Sequence, residues 1–240
     1  MQCATDLDEL LRPEGADRFF DAWFGREAYR GAGPADRFDD VLSLARLDAW
    51  LRQPGFMADG VVRMRRAEPF DQRRVRQVEE VYALLAEGWT LQVVDPHRRF
   101  GPTAPLSRIA ETLSRRIGRA PSVSAVFLTP AGAAGSRRHH DRQDTFTLQL
   151  AGTKRWRLFE QLSPELLDMS SDRPDLRPTE DVEIGPGDLL YVPRGMPHQV
   201  LAGAGEGLSL SVVFGFTPLD WTALTGLLAA RAAATPELAA

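Results

Sequence analysis

Ser122–Phe159 reads SVSAVFLTPAGAAGSRRHHDRQDTFTLQLAGTKRWRLF, and the fold turns on how this stretch is parsed. Ser122–Thr129, Asp144–Leu150 and Arg155–Phe159 are short β-rich runs, separated by Gly, Pro and polar residues. Between the first two sits His139-His140-Asp141, and His198 returns about sixty residues later in PRGMPHQV. Side chains alternate across a strand, so His139 and Asp141 share a face and His140 opposes them. His139 has a carboxylate two residues on, whereas the residue two after His140 is Arg142. A His-x-Asp pair with a distant His suggests three protein ligands on one side of a metal. Imidazole and carboxylate suit Fe(II) with open positions for substrate chemistry. His198 is the natural third ligand, since it follows the strand-like run Asp188–Val192 and a Pro/Gly turn. His97, in DPHRRF, has only Asp95 at a useful spacing. The same triplet also fits a surface pair at a loop–strand junction, and spacing alone leaves both readings open.

Working outward, Asp188–Val192 and Leu208–Phe216 extend the β-rich region, and Trp89–Val94 begins it. Such a set suggests a sandwich or barrel. Leu106–Ile117 places Ile109, Leu113 and Ile117 on one helical face, and Leu162–Asp181 reads as a long polar loop that carries at most a helical turn. Upstream, Phe19, Phe20, Trp23 and Phe24 make one helical stripe, and Leu42–Leu51 and Val75–Leu85 make two more. Met57–Met64 has the β-type residues of a short strand. Leu219–Ala233 is Leu/Ala-rich and predicts a last helix. These runs divide the chain into a mainly helical part (1–88), a β-barrel core (89–216) and a C-terminal helix with its tail (217–240), read as one domain because no linker-like stretch separates them.

A net charge of −4 gives no general attraction to nucleic acid, so direct nucleic-acid binding is not expected. Cys3 is the sole cysteine, which excludes an intramolecular disulfide and a cysteine-rich zinc or iron–sulfur site. No apolar run reaches spanning length, and MQCATDLDELL is acidic where a secretion signal is basic and then apolar. The expectation is a soluble cytoplasmic protein without membrane partners.

Three linked segments, FLTPAGAAGSRRHHD, DTFTLQLAGTKRWRLF and IGPGDLLYVPRGMPHQV, resemble the JmjC-type cupin oxygenases, in particular the ribosomal-protein hydroxylase (cupin-4) branch. The resemblance covers about the last two-thirds of the chain in detail. It implies an α+β fold: a double-stranded β-helix (cupin, jelly-roll) core with a helical N-terminal part and one C-terminal helix. It implies that His139, Asp141 and His198 hold Fe(II), and that Lys154 binds the distal carboxylate of 2-oxoglutarate. A cation on a neighbouring strand, facing the same cavity, would neutralise the far end of a dicarboxylate. Lys154 and Arg155 face opposite sides of a regular strand. The implied reaction takes O2 and hydroxylates a side chain, with succinate and CO2 as co-products.

Two departures from the family pattern bear on the site. Ala125 and Phe127 stand where relatives carry Asn and Tyr, so a hydroxyl donor to the cosubstrate is missing, and Thr129, Thr147, Ser209 and Ser211 are the candidate replacements. About twenty residues follow Phe216, room for one helix in place of a dimerisation segment and a winged-helix domain. Trp221, Leu224, Leu227 and Leu228 on that helix suit either core packing or a homodimer. The first substrate expectation is a protein or peptide, either a ribosomal protein or a biosynthetic peptide, with Arg137 and Arg138 near the mouth. A carrier-bound or free amino acid is the alternative substrate, and a metal-binding cupin without oxygenase activity is the alternative class. Histone demethylases share the fold, but a single cysteine excludes the zinc modules that often accompany them.

Overall fold

The computed structural model describes residues 6–99, 101–162, 176–203, 207–217 and 221–233. Asp6 starts α1 (Leu7–Leu10) by accepting hydrogen bonds from the amides of Asp8 at 3.0 Å and Glu9 at 3.4 Å. α2 (Ala16–Ala22), β1 (Tyr29–Gly31) and α3 (Leu44–Leu51) follow, the last capped by the Ser43 hydroxyl on the Arg46 amide. β2 (Val62–Arg66) and β3 (Asp71–Arg74) form a hairpin, α4 (Val78–Ala86) ends just before Gly88, and β4 (Thr90–Val94) pairs back onto β2. α5 (Pro105–Ile117) opens on a proline, whose missing N–H costs nothing there, and closes on Gly118 in the left-handed region at φ +83°.

The remaining strands are β5 (Val123–Pro130), β6 (Ser136–His139), β7 (Asp144–Ala151), β8 (Lys154–Phe159), β9 (Pro178–Ile184), β10 (Leu189–Val192), β11 (His198–Ala202) and β12 (Leu208–Phe216), before α6 (Trp221–Ala233). Among the described residues they form two antiparallel sheets. One has eight strands in the order β1-β10-β7-β12-β5-β4-β2-β3, and the other has four, β6-β11-β8-β9. The register sets Ser211 opposite both Phe127 of β5 and Gln149 of β7, so these three share a face of the large sheet. Their neighbours Val126, Leu128, Leu148, Leu210 and Val212 occupy the other face.

That alternation gives the large sheet two different surfaces. Its apolar face is covered by the N-terminal helices and α5, through Leu10, Phe19, Leu47, Ile109 and Leu113. Phe19 is the hub, edge-on to Tyr191 at 5.0 Å and to Tyr29 at 5.2 Å. The other face turns inward against the small sheet. There Trp156, Leu158, Val182, Ile184 and Val200 pack on Leu190 and Val192 of β10 in a separate, smaller cluster. The polar residues Thr145, Thr147, Gln149, Ser209 and Ser211 line the rest of this interior and are all buried.

The 1–88 segment carries three strands beside its four helices, because β1, β2 and β3 all join the large sheet. β1 has three residues, too few for a period, and β3 (DQRR) is a charged sheet edge of the kind that discourages further strand pairing. The loop expected over Leu162–Asp181 needs correction at its end. Pro178–Asp181 belongs to β9, held in register by β8 although its first four residues are exposed. The earlier part of that loop, residues 163–175, lies outside the described residues. α6 lies within the expected Leu219–Ala233 run, with Leu224 half-buried and Leu228 exposed. The side chains of Trp221 and Leu227 lie outside the description. Among the described residues, no helix is long and apolar enough to cross a membrane.

Candidate metal centre

His139 is the last residue of β6 and His198 the first of β11, and the two are register partners across the small sheet. Their ring centroids are 4.4 Å apart. Asp141 lies two residues past the end of β6, where its backbone carbonyl accepts a 2.8 Å hydrogen bond from the Gly195 amide in the turn before His198. One carboxylate oxygen is 3.8 Å from His139 Nε2 and the other 3.7 Å from His198 Nε2. These separations exceed a hydrogen bond. They match three groups around one divalent ion, whose ligand atoms, each ~2.1 Å from the centre, fall ~3–4 Å from each other. The three donor atoms all lie within 4.8 Å of one another.

The protein also sets the tautomers. His139 Nδ1 is 2.9 Å from the Arg137 carbonyl, and His198 Nδ1 is 3.0 Å from the Met196 carbonyl. A carbonyl only accepts, so each Nδ1 carries the proton and each Nε2 keeps its lone pair for a metal. Burial pushes the His198 imidazole down to about 4, with His139 adding to the shift and Asp141 opposing it, so the ring is neutral at pH 7. His140 is also buried but is not part of the cluster. The expected strand alternation does not extend to Asp141, because β6 stops at His139, and it is the Asp141–Gly195 hydrogen bond that ties Asp141 to the turn.

Lys154 opens β8 on its inner side, 5% exposed, while Arg155 turns out to solvent and pairs with Asp181. Four residues further along β8, roughly 13 Å of extended chain, Leu158 pairs with His198. Lys154 Nζ donates to Ser211 Oγ at 2.6 Å and lies 5.5 Å from the Phe127 ring centroid. Among the described residues it has no carboxylate partner. Burial lowers its ammonium to about 7. Phe127 therefore presents a π face to the ammonium.

The candidate hydroxyls separate by partner. Ser209 accepts from Gln149 Nε2 at 2.9 Å, and Thr129 is bonded by Thr90 at 3.3 Å, so both have protein partners. Ser211 serves Lys154. Among the described residues, Thr147 Oγ1 and Trp156 Nε1 are buried without a hydrogen-bond partner. Trp156, whose ring is 5.3 Å from that of His198, carries no sequence signal beyond sharing the parity of Lys154 on β8. A buried cation with one neutral partner, unpartnered polar atoms in the same interior and a His/Asp/His donor set fit Fe(II) together with an anionic cosubstrate. Of the two arginines expected near the mouth, Arg137 sits over Phe70 at 5.3 Å and Arg138 over Phe159 at 5.3 Å.

Comparison with known proteins bears on the fold and the family. Over 90 residues the chain is 46% identical to ribosomal oxygenase 2 of Bos taurus, covering 37% of this chain and 19% of that protein. Over 213 residues it is 26% identical to the bifunctional lysine-specific demethylase and histidyl-hydroxylase NO66 of Drosophila grimshawi, covering 81% of this chain and 28% of that protein. Among solved structures, the ribosomal oxygenase YcfD of Escherichia coli superposes with a TM-score of 0.67 at 24% identity, covering 92% of this chain and 55% of that one. YcfD in complex with cobalt and 2-oxoglutarate superposes with a TM-score of 0.63 at 23% identity, covering 87% and 53%. The chain thus spans 19% and 28% of these curated relatives and about half of the solved structures. The JmjC domain model matches residues 97–223, a span that holds all three clustered ligands and Lys154 and exceeds half of the chain, and the protein belongs to the JmjC domain family.

Proposed function

We propose that the chain is an Fe(II)- and 2-oxoglutarate-dependent oxygenase that hydroxylates a side chain of a protein or peptide, releasing succinate and CO2. The observation that carries this reading is Lys154: a buried cation whose hydrogen-bond partner is a serine, facing the interior that also holds the His139/Asp141/His198 cluster. A metal-binding module without a cosubstrate has no use for that desolvated charge. The name ribosomal oxygenase 2 and the YcfD complex with 2-oxoglutarate support the same assignment, and favour a ribosomal protein as the first substrate class to test.

In this reading His139, Asp141 and His198 would hold the metal. Fe(II) with 2-oxoglutarate supplies the oxidising chemistry when bound. The protein contributes positions and charge. Hydrogen bonds to the Arg137 and Met196 carbonyls hold both imidazoles with Nε2 forward, so binding needs no tautomer change. Lys154 neutralises the far carboxylate of the dicarboxylate, and Ser211 orients the ammonium. Thr147 and Trp156 offer further hydrogen-bonding atoms inside the cavity.

Anaerobic titration of Fe(II) and then 2-oxoglutarate, watched by visible absorption and followed by a succinate assay under O2, tests the proposal. A metal-to-ligand band that grows with 2-oxoglutarate and is lost in His198→Ala is expected. Failure of 2-oxoglutarate to bind protein fully loaded with Fe(II) would sink it.

A further inference from the structure

The hairpin of β2 and β3 brings cations to the open side of the interior. Arg63 and Arg65 alternate with Val62 and Met64, which are fully buried in the apolar face. The register continues across the sheet from Arg63 to Gln92 to Phe127, and Phe127 lies beside Lys154. Arg63 and Arg65 therefore project from the face that lines the interior. Arg65 is half-buried, and Asp141 is the acidic group whose field acts on it. Its guanidinium carbon lies 5.9 Å from the centroid of Phe70, and that of Arg137, from β6 in the other sheet, lies 5.3 Å from the same ring. Phe70 is 52% exposed. An exposed aromatic ring thus has two arginines beside it, one contributed by each sheet.

Arg65 differs in its pairing from four arginines that are tied to carboxylates. Arg30, Arg155, Arg157 and Arg194 all pair with carboxylates. Among the described residues Arg65 makes no hydrogen bond and no ion pair, although it is partly desolvated. Asp141 is too committed to the His cluster to serve it, lying 3.8 and 3.7 Å from the two imidazoles. A half-buried guanidinium with free donors is a fork for a carboxylate.

We propose that Arg65, together with Arg137 and the Phe70 ring, is the specificity site for the primary substrate, and that it recognises a carboxylate close to the carbon that is oxidised. This rests on the oxygenase reading for what happens to the bound substrate, but not for the binding itself. The carboxylate belongs either to an acidic side chain of a peptide or to the α-carboxylate of an amino acid. In both cases the guanidinium of Arg65 donates two hydrogen bonds and Phe70 covers the adjacent apolar part.

The test uses the full chain loaded with Mn(II) and 2-oxoglutarate under nitrogen. Its probes are two fluorescein-labelled hexapeptide pools that differ only in a central Glu or Gln, read by anisotropy at low and high salt. Competition by free amino acids, and by the same amino acids as amides, separates the two sources of the carboxylate. Binding of the Glu pool about tenfold tighter than the Gln pool, with the preference lost in Arg65→Gln and kept in Arg65→Lys, is expected for an acidic peptide. Competition by the acids and not by their amides is expected for an amino acid. Arg137→Gln, at an exposed position, gives a second reading that does not depend on Arg65 packing, and a reduced preference is expected. Equal binding of both pools together with no competition by the acids, or an unchanged preference in both glutamine variants, overturns the proposal. The visible band of the Fe(II)–2-oxoglutarate complex is read separately. Its absence with the carboxylate preference intact would fail the oxygenase reading alone, and its presence with no preference would fail the Arg65 site alone.

Discussion

Lys154 carries the clearest consequence at the scale of single residues. Its folded value of about 7 lies below the ordinary 10.5 because burial removes water from the ammonium. Between those two values the unfolded chain holds a proton that the folded chain lacks, so stability of the ligand-free protein rises with pH across that window. Melting temperature measured from pH 7 to 10 should climb, and the slope should flatten in Lys154→Met. A dicarboxylate reverses the preference, since it is bound by the charged form. Affinity for 2-oxoglutarate should therefore fall as pH rises above 7, by up to about tenfold per unit. Lys154→Ala should raise the 2-oxoglutarate requirement while metal affinity, titrated without cosubstrate, stays as in the parent. Equal loss of both would count against its assigned role. At this scale the sequence announces much: the His-x-Asp spacing and the later His198 point to the cluster, and strand parity separates Lys154 from Arg155. The carbonyls of Arg137 and Met196 that fix the imidazoles are not announced, because a backbone acceptor has no residue signature. Arg65 is hidden for another reason, since a charged residue on a strand ordinarily reads as facing water.

Among elements, legibility follows the source of each strand's stability. β5, β7, β8 and β12 bury apolar side chains on one face or both, and their residues show it. β3, β6 and the first four residues of β9 (DQRR, SRRH, PTED) are held chiefly by backbone pairing to a neighbour, which composition does not record. One buried network joins elements distant in sequence. The Tyr191 hydroxyl on β10 donates to Asp144 at 2.6 Å and accepts from the Gly25 amide at 2.7 Å, and Arg194 reaches the same carboxylate at 3.0 Å. Tyr191→Phe would strand the Gly25 amide and one lone pair of Asp144. It should cost about 1–3 kcal/mol, seen as a lower urea midpoint at unchanged m-value.

Over the whole molecule, the large sheet keeps its folding core and its candidate chemistry on opposite faces. Phe19 is fully buried on the helix side, in contact with Tyr29, Phe146 and Tyr191. Phe19→Ala should cost about 3–5 kcal/mol, measured by calorimetry, while metal affinity at low temperature stays near that of the parent. A variant with unchanged melting but weakened metal binding would show that the two faces are coupled more tightly than their separation implies.

The division has a counterpart in how such a chain can diversify. On β5, β7 and β12 the interior positions are the odd-numbered ones: 125, 127 and 129, then 145, 147 and 149, then 209, 211 and 213. The even-numbered positions between them belong to the helix-covered face. A lineage can therefore rewrite the pocket by changing every second letter of these strands and leave the packing letters alone. Ala125 and Phe127 both fall within the odd set. New specificity in this architecture is an editing problem with a reading frame of two.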